Sequence, residues 1–149
     1  MRKNKILVIV FFVITIVVFA FKNFSNDRGK ENWSAEQLME PSRLSKILND
    51  PQKPKPIIYS IGPGGNIKGS IEMGPAHEKE NLLKFKMELS KLPKDADIVI
   101  FCGCCPFVHC PNIRPAFQLL NEMKFTNHKL LNLSHNLKVD WIDKGYPMK

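Results

Sequence analysis

Ile98-Val99-Ile100-Phe101 runs directly into Cys102-Gly103-Cys104-Cys105-Pro106-Phe107-Val108-His109-Cys110, and then into Pro111-Asn112-Ile113-Arg114-Pro115. Asp97 to Phe101 reads as a short strand apolar on both faces, the signature of a strand covered by helices on either side of a parallel sheet. All four cysteines of the chain fall in the loop that follows it. Pro115 suits the first turn of a helix, where a missing amide hydrogen costs little, and Ala116, Leu119, Leu120 and Met123 give that helix a buried face. A strand, a sulfur-rich loop and a helix in this order point to sulfur chemistry at the carboxyl end of a buried strand.

The same pattern extends in both directions. Upstream, Leu82, Phe85, Leu89 and Leu92 recur at helical spacing within Glu78 to Leu92, and Pro56 to Ile61 is a strand bounded by Pro54 and by Gly62-Pro63-Gly64-Gly65. Ser34-Ala35-Glu36-Gln37 has capping-box spacing, predicting a short helix that stops near Pro41, with another turn or two over Arg43 to Leu48. Downstream, Lys129 to Leu133 reads as a strand and Val139 to Lys144 as a terminal helical turn closed by Gly145. Strands alternating with helices of this length predict one α/β domain with a mainly parallel sheet.

At 149 residues and 44% hydrophobic content the chain has room for one domain of ordinary size with a core of its own. The formal charge of +8 includes Arg2, Lys3 and Lys5 ahead of the first apolar run, and no Lys/Arg block is interleaved with aromatics. This distribution argues for solubility or attraction to small anions and anionic lipid, and against nucleic acid. Ile6 to Phe21 is apolar apart from Thr15. As a helix it would reach about 24 Å, enough to serve as a membrane anchor with lysines at the interfaces. The positive-inside tendency keeps its basic leader in the cytoplasm and sends the rest of the chain across. Residues 1–21 thus read as an anchor or, if Val18-Phe19-Ala20 is cut, a signal peptide; 22–32 as a polar linker; and 33–149 as the domain, in a bacterial envelope facing the periplasm or exterior.

Four segments in order resemble the rhodanese superfamily of sulfurtransferases, over most of the domain. Gly65-Asn66-Ile67-Lys68-Gly69-Ser70-Ile71 resembles that family's Gly-His-Ile-Pro-Gly-Ala stretch, and Ile98 to Cys102 resembles the strand ending in its catalytic cysteine. Phe117 to Phe125 resembles the following helix and its exit, and Trp141 through Gly145-Tyr146-Pro147 the closing Trp and Gly-x-Pro. Two departures stand out. The segment from Cys102 to Arg114 is about five residues longer than the family's compact loop and holds three more cysteines, and Ser60-Ile61-Gly62 stands where many members have Asp-Val-Arg.

The resemblance implies a rhodanese-like fold and a two-step reaction without a cofactor. A cysteine thiolate takes a sulfane sulfur from a small anionic donor, and the persulfide yields it to a thiol acceptor, a small molecule or an envelope protein. Cys102 is the expected nucleophile, with Cys104, Cys105 and Cys110 as alternatives. Amides from Gly103 onward would form a nest for its sulfur, and Arg114 would hold an anionic donor near the helix start or else make a surface ion pair. His109 reads as an exposed loop residue and Trp141 as core. Other uses of the sulfurs stay open. Outside the cytoplasm a Cys105–Cys110 disulfide would brace the loop. Cys102 and Cys105 have the Cys-x-x-Cys spacing of thiol–disulfide exchange proteins. A zinc or iron–sulfur site fits less well, because ligand pairs usually come from separated segments. A catalytically silent rhodanese-like binding module is the remaining reading.

Overall fold

The computed structural model describes residues 31–149; the expected anchor, signal sequence and most of the linker lie outside them. Asn32–Lys149 forms one compact α/β unit. In chain order it contains β1 (Leu38–Met39), α1 (Pro41–Asn49), β2 (Ile57–Ser60), β3 (Ser70–Glu72), α2 (Lys79–Leu89), β4 (Ile98–Phe101), α3 (Ile113–Glu122) and β5 (His128–Leu131). Single turns of 3-10 helix at Ala35–Gln37 and Phe107–His109 and a π-helical turn at Lys138–Ile142 complete it. Among the described residues no helix is long and apolar enough to cross a membrane.

The five strands form one sheet in the order β1-β5-β4-β2-β3, and every neighbouring pair is parallel. β4 is central, and all four of its residues are buried. Its side chains alternate between two layers. Ile98 and Ile100 face a cluster with Phe85 and Leu89 of α2 and Ala116, Phe117 and Leu120 of α3. Val99 and Phe101 face a second cluster with Leu44 of α1 and with Leu137 and Trp141. This two-sided burial is what the unbroken apolar run of β4 required.

Local chemistry explains where the elements differ from expectation. The capping box at Ser34 forms, with the Ser34 amide donating to Gln37 Oε1 at 3.0 Å, but it supports only one 3-10 turn before the chain joins the sheet as β1. Pro41 starts a helix instead of stopping one: it occupies the first turn of α1, where its fixed φ fits and no amide hydrogen is needed. β5 begins one residue earlier than expected and ends at Leu131, beyond which Leu133 remains buried beside β4 without strand pairing. The two shortest strands, β1 and β3, carry too few residues to show a period of two and are recruited by their neighbours in the sheet.

Trp141 lies fully inside the second cluster, its indole Nε1 donating to the Pro147 carbonyl at 3.2 Å, as expected of a core residue. The C-terminal segment it anchors ties back onto the connection between β2 and β3, through Lys68 N to Pro147 O at 3.1 Å and Lys149 N to Asn66 O at 3.1 Å. Trp141→Ala should therefore cost about 3–5 kcal/mol, whereas truncating the exposed Met87 should stay within about 0.5 kcal/mol. Urea midpoints of the two variants against the parent chain check this; equal midpoints for both would contradict the assigned core.

Candidate functional site

The site is set by sheet order. From β2 the chain moves outward to β3, while from β4 it moves the opposite way to β5, so the carboxyl ends of the two central strands are where the strand order reverses. Cys102 is the first residue beyond β4 and continues its alternation onto the α2/α3 face, where it is buried. Opposite it is the backbone of Gly62, just past β2. A methyl group at Gly62 would overlap Cys102 Sγ outright and come within 2.9 Å of Asn112 Nδ2. The space that a side chain at position 62 would take is therefore filled by the cysteine sulfur itself.

The long loop is held by backbone contacts on both sides. Gly103 packs against Gly64, whose φ of +122° only glycine adopts readily and whose Cβ, if present, would meet the Gly103 backbone at 2.7–2.8 Å. The Gly103 carbonyl accepts from Leu137 N at 3.0 Å, and Phe107 N donates to Leu133 O at 3.1 Å. Phe107 is buried with its ring 5.8 Å from that of Trp33. Pinned there, the chain makes one 3-10 turn, with Cys110 N donating to Phe107 O at 3.3 Å, and brings the buried Cys110 back beside Cys102.

The four cysteines are free thiols. Cys102 Sγ lies 3.4 Å from Cys104 Sγ, which lies 3.2 Å from Cys105 Sγ. The sulfurs of Cys102, Cys104 and Cys110 all fall within 4.8 Å of one another. Cys104, exposed, stands between the two members of the Cys-x-x-Cys pair.

Asn112 is the residue that sequence reasoning missed. It precedes α3, where asparagine usually caps, yet its side chain makes no cap bond. Its Oδ1 instead accepts from His77 N at 3.1 Å and His77 Nδ1 at 2.7 Å, which turns Nδ2 toward Cys102 Sγ at 3.4 Å. The only local signal was an asparagine beside a proline at a helix start, which capping explains equally well.

These donors set the charge. The Cys110 thiol donates to Cys102, and the Cys104 amide, the Asn112 side chain and the Cys104 thiol add to it; together they outweigh burial and hold Cys102 down to about 5. Its neighbours move the other way. Burial and hydrogen bonds to Cys105 and Cys102 push Cys104 up to about 12, and Cys110 is pushed far up chiefly because its proton is committed to Cys102. The charge thus falls on one sulfur, that of Cys102 at the end of β4, with protons left on Cys104 and Cys110.

The remaining expected residues fall into place around it. Gly103 is buried in the loop and Cys105 is half-buried. Arg114 is drawn toward Trp33: its guanidinium carbon lies 5.6 Å from the Trp33 ring and its carbonyl accepts from Asn32 Nδ2 at 3.0 Å. His109 is exposed. No family model, curated protein or solved structure matches the chain, so the geometry of this loop carries the functional argument.

A group with a lowered pKa is ionised above that value, so reduced, chelator-treated protein should show one ultraviolet thiolate step with a midpoint near pH 5, present at neutral pH and lost on acidification. Cys102→Ser should abolish the step. Asn112→Ala should raise its midpoint by about one to two pH units, since a hydrogen bond to a charged group is worth about 1.5–3 kcal/mol. An unchanged step in Cys102→Ser would show that another sulfur carries the charge.

Proposed function

We propose that the chain is an extracytoplasmic, rhodanese-like sulfurtransferase that carries sulfane sulfur as a persulfide on Cys102. The observation that carries this reading is the placement of Cys102: the first residue after the central strand of an all-parallel sheet, its buried sulfur accepting from Asn112 Nδ2 at 3.4 Å. N–H groups converging on one point stabilise an anion there without a histidine base. In the first step the thiolate attacks the terminal sulfur of a donor, a new S–S bond forms, and the donor's remaining fragment leaves with the bonding pair. In the second, an acceptor thiolate attacks that terminal sulfur and Cys102 leaves as thiolate, so sulfur is transferred with no net oxidation.

Gly62 bears on the donor. With no guanidinium at that position and the Arg114 guanidinium over the Trp33 ring, no cation among the described residues is held at the sulfur. A low-molecular-weight thiol persulfide suits it better than the doubly charged thiosulfate. The basic leader and apolar run at residues 1–21 support an envelope location, and the acceptor would be a small thiol or a protein thiol there.

The contact between Cys102 and Cys104 at 3.4 Å favours one second reading, thiol–disulfide exchange by that pair. Mass analysis separates the two. The full chain, reduced, chelator-treated and offered a thiol persulfide, should gain the mass of one sulfur on the peptide carrying Cys102, and Cys102→Ser should gain none there. If none of the four cysteines acquires a sulfur while Cys102 and Cys104 lose two hydrogens, the exchange reading replaces the transferase.

A further inference from the structure

We propose that Cys102, Cys104 and Cys110 together form a three-thiolate site for a soft monovalent cation, copper(I). The sulfurs already occupy the geometry. Metal–sulfur bonds of about 2.3 Å in a planar three-ligand arrangement hold the sulfurs roughly 4 Å apart. Here one pair stands at 3.4 Å and all three lie within 4.8 Å. The chain places them there from a single loop, because the Phe107–His109 turn doubles back and delivers Cys110 to the end of β4.

Asn112 Nδ2 donates to Cys102 Sγ at 3.4 Å, and Cys104 Sγ stands 3.4 Å from the same sulfur. N–H donors to ligating sulfurs orient thiolates and temper their charge. A cation among three sulfurs this close would offset the repulsion between neighbouring thiolates.

The donor set selects the ion. Soft thiolates favour copper(I) and zinc, but zinc takes a fourth ligand, a protein residue or a water, and two of the three sulfurs here are buried from water. Among the described residues no fourth His, Cys, Asp or Glu lies within 4.8 Å of all three sulfurs; Cys105, 3.2 Å from Cys104, borders the cluster without joining it. A three-coordinate ion is satisfied by what is present. Cys102 and Cys110 are buried, shielding bound copper from water and oxidation, while exposed Cys104 with Cys105 beside it gives a route in and out. The site goes beyond the sulfur-transfer reading and excludes it while filled, since both use the Cys102 sulfur.

The test is a competition under anaerobic, reducing conditions between the full chain and a chromophoric copper(I) chelator. The expected result is one copper per chain withheld from the chelator, three sulfur neighbours by X-ray absorption, and no displacement by equimolar zinc. Cys104→Ser and Cys110→Ser, each with an unchanged urea midpoint, should weaken retention about tenfold or more, and Cys105→Ser should not. Equal retention by the parent and Cys110→Ser, two sulfur neighbours, or displacement by zinc overturns the site. None of these readouts uses sulfur transfer: a chain that withholds copper but never gains a sulfur overturns the transferase alone, and the reverse outcome overturns the copper site alone.

Discussion

Everything at this site depends on one close approach, that of the Cys102 sulfur to the backbone of Gly62 across the carboxyl ends of β4 and β2. The parallel pairing of Ser60 with Phe101 brings the two strand ends level, so the residues that follow must share the same small volume. A side chain at Gly62 would evict the sulfur, and a side chain at Gly64 would lift Gly103 and the loop with it. Two glycines on one loop thus make room for a cysteine and a glycine on the other.

The second organising fact is the mutual dependence of the sulfurs. Three thiols in contact cannot all be ionised in a buried place without a counter-charge, because each thiolate opposes the next. The chain resolves this by giving the charge to Cys102, which collects N–H and S–H donors, and leaving protons on Cys104 and Cys110. That arrangement serves a nucleophile directly. It also defines the alternative state, in which a soft cation supplies the missing counter-charge and the same N–H groups support a ligand cluster. The length of the loop matters for both, since a compact loop could not return Cys110 to Cys102.

Much of the fold was legible in the sequence. β4, α2 and α3 follow from apolar runs and helical spacing, since burial on one face or two leaves a periodic trace. Pro41 shows where that reading turned the wrong way: proline punctuates a helix at either end, and only the preceding strand pairing of Leu38 and Met39 with β5 decides that it is a start. β1 and β3 left no trace because a strand of two or three residues is defined by its partner.

By itself the sequence determined the fold class, the position of all sulfur at the end of a buried strand, and the helix behind it, because those properties are written in neighbouring residues. Only the tertiary structure decided which sulfurs meet, that Asn112 turns toward Cys102 under the grip of His77, and that Arg114 stacks on Trp33. Periodicity reports which way a side chain faces but not what it meets. The partner is chosen by strand order and loop path, which join residues some 35 to 80 positions apart.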